Sequence, residues 1–480
     1  MKIKHKIKKL IATIKSQRKK LTISFIVAIA INFVCYLMDN CPYPYWDNLE
    51  RFCWTENLIS RLSSSELNDD DAYFLDVAYD KQIADCLLDG DLHGSSAVTD
   101  RKKLLRFLQV AEQANSYKYI FLDIRFQDSI TTPDDDALFN QINKMRDIGY
   151  SKHSIYSSTN KLDPKKASYN DYFGTITNTG FTRYQFIQNG EETAPVMIYN
   201  AVHPKEPSPI NKHGIFYTSN GKLCQNSPFL VIKSAFKESY FGQGKENYAR
   251  LGIDWLEPYS QSVVEALGDT TPLTKKNVEL AIKDKIVFVG DFANDIHDTY
   301  IGAQPGPYLV YLAYRELRDG KHIVSPLFIL AMIAVYMAIF IAILNQKSRW
   351  DSFKHLLRKS KSKYLLTTMS LTGYFVALIF FSYIVYILFG SLYFGILLTL
   401  AISFILYLIV RVCYNAKFAN QLYTINNKIG NFALSFMGYT ALLTCISLIS
   451  YILFNSVYNV FFPSLFFTMT RTIITNIKSV

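Results

Sequence analysis

Long apolar runs without a single charge dominate what this chain can fold into. Residues 21–38, LTISFIVAIAINFVCYLM, hold no charged residue, and the same is true of 326–344, 365–389, 392–410 and 432–454. A helix needs about 20 apolar residues to cross a hydrocarbon core roughly 30 Å thick. Core helices of soluble proteins rarely run so far uncharged, so five such runs predict a bundle of membrane-spanning helices. A sixth span is predicted at 457–475, where the apolar stretch is shorter and is followed by Arg471.

The charge is partitioned along the chain. Residues 1–38 carry nine Lys/Arg and no acid. Residues 39–325 carry 30 Lys/Arg and 39 Asp/Glu, and residues 326–480 carry 12 Lys/Arg against Asp351 alone. The overall charge of +11 therefore belongs to segments that flank apolar runs, and the one large polar region is acidic. A nucleic-acid module would gather its bases on a folded polar domain, so nucleic acid is excluded as a partner. The layout follows the positive-inside rule. It predicts a basic cytoplasmic N-terminus at 1–20, an anchor at 21–38, an extracytoplasmic domain at 39–325, a basic cytoplasmic loop at 345–364 and a cytoplasmic loop at 411–431. No A-x-A-like site follows the first run, so an uncleaved signal anchor is expected. The basic runs at 2–20 and 347–363 are expected to contact anionic membrane lipid. A composition that is 50% hydrophobic and 19% charged rules out general disorder.

Residues 39–325 are long enough to build a core of their own. Their pattern is α/β. AYFLDVAYD (72–80) reads as a buried strand ending in acids, followed by a helix that Asp100 caps, RKKLLRFLQVAEQA, with Leu104, Leu105, Leu108 and Val110 at helical spacing. KYIFLDIRF (118–126) is the next strand, and Pro133 to Asp136 open a helix carrying Leu138, Ile142 and Met145. Strand–helix alternation predicts parallel strands with right-handed crossovers. Shorter strands are expected at DYFGTIT, TRYQFIQNGE, PVMIYN and GIFYTSNGK, then a helix over 226–242. KDKIVFVG (283–290) is a strongly apolar strand, and a helix follows from Tyr308 to Arg318. The expected fold class is thus an α/β domain, a parallel or mixed sheet with flanking helices, joined to five or six membrane spans. Cys41, Cys53, Cys86 and Cys224 permit three disulfide connectivities, or none if they are small buried hydrophobes.

The segment KDKIVFVGDFANDIHDTYIGAQPGPYLVYLAYRELRDG resembles the closing signature of the CHASE family of its second type, the cyclase- and histidine-kinase-associated sensory extracellular domains of bacteria. The matching positions are Lys285 to Asp291, then Asp298-Thr299 with Gly302, then Pro305-Gly306-Pro307. YIFLDIRF with Asp134 to Asp136 and Leu138 resembles a second family block, and AYFLDVAYD with Asp76 an opening one. The likeness spans about 70–325. It implies a sensory periplasmic domain on a multi-span protein of a bacterial inner membrane. Family members commonly continue into a cyclase or kinase; here 326–480 contain no HRD-type loop, P-loop or GGDEF-like run.

In parallel sheets ligands bind beyond the carboxyl ends of the strands. Asp76, Asp123 and Asp291 fall at or near such ends, and Asp295, His297 and Asp298 lie in the loop after the last strand. These six are the candidate ligand-binding residues, for the hydroxyls and amines of a small molecule or for a divalent cation. The competing role is ordinary: Asp at strand ends commonly caps loops and helix starts. GDFANDIHD also has pieces of a metallophosphoesterase site, but His93, His153, His203, His213 and His322 supply none of the spaced ligands such a site needs, so no catalytic residue is assigned. The expected function is a non-enzymatic membrane sensor in signal transduction. It binds a small ligand or an envelope partner outside and passes the change to a separate protein in the cytoplasm or membrane, or to a second copy of itself. The alternative is a scaffold or docking subunit of an envelope assembly or transport complex. The spans hold almost no ionisable group, which argues against an ion pathway.

Overall fold

The computed structural model describes residues 2–40, 71–88, 91–126, 130–152, 162–169, 183–228, 230, 248–250, 275–299, 302–345, 416–457 and 459–477. Two compact units divide the chain. One comprises 1–33, 330–446 and 460–480; the other comprises 34–329 and 447–459.

The second unit is built on six parallel strands: β1 (Ala72–Asp76), β4 (Tyr119–Asp123), β6 (Ile148–Lys152), β7 (Ala167–Tyr169), β13 (Tyr248–Arg250) and β14 (Ile286–Gly290). Their order in the sheet is β13-β1-β14-β4-β6-β7, and every neighbouring pair is parallel. β1, β4 and β14 are buried at every position, as their unbroken apolar runs require when both faces of a sheet are covered. Alternate side chains enter two cores. Phe74, Phe121 and Phe288 point to one, where α4 (Ala194–Val202) and α6 (Gly306–Arg318) pack. Phe288 stacks on Phe74 at 5.8 Å and meets Tyr311 of α6 edge-on at 5.5 Å. Tyr73, Leu75, Ile120, Leu122, Val287 and Val289 face the other core, with α2 (Arg101–Ala114), α3 (Asp135–Lys144) and α5 (Lys275–Ile282).

Local chemistry sets the helix ends. Asp100 accepts a hydrogen bond from Lys103 N at 2.9 Å and caps α2, as expected. Asn115 closes α2 in the left-handed region, φ 48°, a conformation Asn tolerates better than most residues. The buried seam of α2 is Leu104, Phe107, Leu108 and Ala111, and Leu105 and Val110 lie at its margin.

Several elements differ from the sequence expectation. PVMIYN is the body of α4, because Pro195 suits a first helical turn, Val196 and Ile198 are drawn into the core, and the Thr193 hydroxyl ties the helix start to Gln185 O and Phe186 O. Residues 81–99, which carry no strand signal, form a hairpin of β2 (Lys81–Leu88) and β3 (Asp91–Thr99), with β5 (Ile130–Thr131) beside β2. α5 was likewise unmarked. Residues 226 and 227 are bends and 228 is irregular, not the start of a helix; most of 229–242 and all of DYFGTIT lie outside the described residues. Smaller pairs are β8 (Ile187–Gln188) with β9 (Glu191–Glu192), and β15 (Ile296–Thr299) with β16 (Gly302–Pro305). The strands β10 (Asn211–His213), β11 (Phe216–Ser219) and β12 (Lys222–Cys224) form a meander. The Asn220-Gly221 turn between β11 and β12 has φ of 48° and 76°, the positive pair that a two-residue hairpin requires. Cys86 and Cys224 are unpaired, with Cys224 fully buried as a small hydrophobe; Cys41 and Cys53 lie outside the described residues.

Among the described residues three helical stretches are long and apolar enough to cross a membrane: Arg18–Asn40, Pro326–Asn345 and Ser435–Phe454. They belong to α1 (Lys2–Asn40), α7 (Pro326–Asn345) and α8 (Ala416–Phe454). α8 starts at Ala416, so most of the segment expected as a 411–431 loop is helical. α9 (Phe461–Ile477) has 17 residues, at the short end of the range for a membrane-crossing helix. The runs 365–389 and 392–410 lie outside the described residues. Ile26, Leu327, Leu330 and Ile452 are more than half exposed on these helices, the surface expected of a chain solvated by lipid. In the first unit, Lys20 Nζ donates to Asn345 Oδ1 at 2.8 Å, and Phe467 of α9 packs on Tyr336 and Tyr439.

One close approach fixes α6 against the sheet. A Cβ on Gly290 would stand 2.4 Å from Pro307 Cγ and 3.2 Å from Asp123 Cβ. Gly290→Ala should therefore destabilise the full chain by about 1–3 kcal/mol through overpacking. A thermal melt in detergent checks it, and an unchanged midpoint would show that α6 is free to shift.

Candidate functional site at the carboxyl edge of the sheet

β14 is the last strand of this sheet in chain order yet lies between β1 and β4, so three strand ends meet in register. Asp76 is level with Gly290, and Gly290 with Asp123. Asp76, Asp123 and Asp291 are therefore brought together at the carboxyl edge, as the sequence predicts. Asp76 is 1% exposed, and its Oδ1 accepts from Ala78 N at 2.8 Å and from Phe292 N at 3.1 Å. It joins the turn after β1 to the loop after β14. Asp123 is also buried.

Asp291 caps its own loop. Oδ1 accepts from Ala293 N at 3.1 Å and Asn294 N at 2.7 Å, while Oδ2 pairs with Lys81 Nζ at 2.9 Å. Burial pushes the Asp291 carboxyl up, but the Lys81 bond and the Asn294 donors outweigh it, and the pKa lies below 3.8. Farther along, Asp295 Oδ1 sits 3.1 Å from His297 Nε2, and Asp295 O accepts from Gly306 N at 2.9 Å. A Cβ on Gly306 would fall 2.3 Å from Asp295 Oδ2 and 3.3 Å from His297 Nε2. Asp295 and His297 thus rest on the first turn of α6. Asp298 is in β15, its backbone paired with Ala303 of β16.

The bases at this edge carried no sequence signal. Lys81 follows β1 on the unanticipated hairpin. Lys103 Nζ pairs with Asp80 Oδ1 at 2.7 Å; burial nevertheless holds the Asp80 carboxyl above its ordinary value. Arg101, in the first turn of α2, is 2% exposed. Its guanidinium lies 4.6 Å over the Phe126 ring and 3.5 Å from Asp135 Oδ1, and burial lowers its pKa to about 10 against the pull of Asp135. Such an arginine pins the end of β4 to the start of α3, and only its place in the fold reveals this.

The site is therefore a set of close contacts: Asp291 with Lys81, Asp80 with Lys103 and Asp135 with Arg101 as ion pairs, and the Asp295 carboxylate beside the His297 ring. Among the described residues no group of three or more His, Cys, Asp or Glu is placed to hold a metal ion. Chemically, the edge offers hydrogen bonds of both signs to a polar molecule that can exchange with these partners.

No family model, curated protein or solved structure matches this chain.

Because Asp291 is ionised more readily in the fold than in the unfolded chain, its contribution is complete above pH 3.8 and is lost as pH falls through its lower folded value. Asp291→Asn should cost about 0.5–2 kcal/mol at pH 7, the usual value of a lost cap. The difference from wild type should shrink as pH falls below the ordinary carboxylate value, where the unfolded chain takes up the proton before the fold does. Parallel melts at pH 7 and pH 3.5 read both effects; a stabilised variant would mean that the carboxylates repel one another instead.

Proposed function

We propose that residues 39–325 form an extracytoplasmic sensory domain of the second CHASE type, in a multi-pass protein of a bacterial inner membrane. The protein binds a small polar ligand or an envelope partner and passes the change through its helices to a separate protein, which supplies any enzymatic output. The resemblance rests on the residues of β1, β4 and β14 and on the loop from Asp291 to Gly306. The charge partition supports the orientation, with 1–20 and 345–364 in the cytoplasm, and five or six spans remain part of the proposal.

The observation that carries the reading is the course of α6. Its first residue touches Asp295 at the candidate site. Its body is pinned to the sheet, where Tyr311 donates to Asp71 Oδ1 at 3.1 Å and Arg318 pairs with the same carboxylate. Beyond its end, Val324 N donates to Leu223 O at 2.8 Å, and α7 begins at Pro326. A ligand that moved the 291–297 loop would act on one rigid helix that leads directly to a membrane-spanning one. A scaffold has no need of that connection.

Thermal melts of the full chain in nanodiscs against amines, amino acids and polyols test this. A sensed ligand at a hundred times its Kd should add about 2.7 kcal/mol, and Asp123→Asn should remove the response. No shift with any compound, together with one envelope protein captured by cross-linking in intact cells, would favour the scaffold. Orientation is read separately. A cysteine at Ser95, which is exposed on β3, should react with an impermeant reagent in intact cells permeable at the outer membrane, and one at Ser360 should not. The reverse pattern would overturn the topology.

A further inference from the structure

We infer that residues 224–227, at and just beyond the end of β12, are a shared anchor that ties three membrane-exit segments into one cooperative unit. The outer end of α1 binds from one side. Tyr36 Oη donates to Cys224 O at 3.1 Å and accepts from Tyr217 N at 3.0 Å. One hydroxyl thus bonds the backbones of two residues that face each other across β11 and β12. Asn40 Oδ1 accepts from Asn226 N, and the Asn226 side chain bonds both the N–H and the C=O of Ile187.

Asp39 supplies the charge. Its Oδ1 lies 3.2 Å from Arg183 Nη2, with the two side chains 1% and 4% exposed, and Arg183 Nη1 donates to Ser227 O at 2.9 Å. An ion pair this buried holds position strongly, because separating it leaves an uncompensated charge out of water. From the other side come the residues that precede α7. Gln225 N donates to His322 O at 2.8 Å, Val324 N to Leu223 O, and Cys224 bridges Ile323. The third segment is the turn after α8, where Gln225 Nε2 donates both to Val457 O and to Asp39 Oδ2 at 3.4 Å. His322 completes the joint: its Nε2 bonds Pro209 O at 2.9 Å and its ring meets Phe186 edge-on.

Three chain segments far apart in sequence share hydrogen bonds to residues 224–226, and Asp39 reaches Ser227 through Arg183. Displacing α1 at Tyr36 must therefore strain the same strand that holds 322–324. The inference is independent of what the α/β domain binds.

Hydrogen exchange of the full chain in nanodiscs tests it. Tyr36→Phe removes one hydroxyl and little else. Peptides over 217–227 should exchange about tenfold faster, as the loss of one net hydrogen bond implies. Peptides over 320–325 should also exchange severalfold faster, although Tyr36 has no hydrogen bond to them, and β4 should keep its wild-type protection. Asp39→Ala should do the same more strongly; if it fails to assemble, Tyr36→Phe decides alone. Faster exchange confined to 217–227, or none at all, would overturn the shared anchor.

Discussion

The placement of one strand governs this α/β domain. β14 fills the gap between β1 and β4, and its residues serve both cores at once: Val287 and Val289 on one face, Phe288 on the other. Its terminal Gly290 lets Pro307 approach to a distance that no side chain would permit. That contact brings the start of α6, with Asp295 and His297 against it, to the carboxyl edge, where strand register sets Asp76 and Asp123 on either side of Gly290. Remove the close approach and the loop and the helix start lose their common reference.

Electrostatics at the edge follow from burial. Bare carboxylates this close would repel one another and raise their own pKa values. Here Lys81, Lys103, Arg101 and His297 each stand beside an acid, and backbone N–H groups fill the lone pairs of Asp76 and Asp291. The two roles weighed for these acids, ligand binding and loop capping, are therefore not exclusive. Asp76 and Asp291 cap loops, and a ligand would reach the edge by replacing a cation rather than by filling an empty acidic cluster.

The sequence reveals what hydrophobic period and helix caps control. β1, β4 and β14 are legible because a doubly covered parallel strand must be apolar at every position. α2 is legible from Asp100 and its seam, and the acids are legible because they end those strands. The β2–β3 hairpin is not: Gly94, Ser95 and Ser96 carry little β-propensity, although the pairing is local. PVMIYN reads as a strand because Val, Ile and Tyr favour one, whereas Thr193, Pro195 and the core behind it impose a helix. Lys81 and Arg101 are ordinary bases in a polar stretch until the fold sets them opposite Asp291 and Asp135. The exit of α1 was readable as a span, while the burial of Tyr36 and Asp39 depends on partners almost two hundred residues away.

The central claim is that the carboxyl edge and the approach to α7 are joined through α6. Gly306→Ala would press a methyl group against Asp295, at the opposite end of α6 from Asp319. A spin label at Asp319, in the full chain in nanodiscs, reports whether that end responds. The account predicts a clear change in the label's mobility in the Gly306→Ala variant relative to the glycine form, with secondary structure retained. A spectrum identical in the two proteins, while the 291–297 loop is visibly altered by exchange, would contradict it.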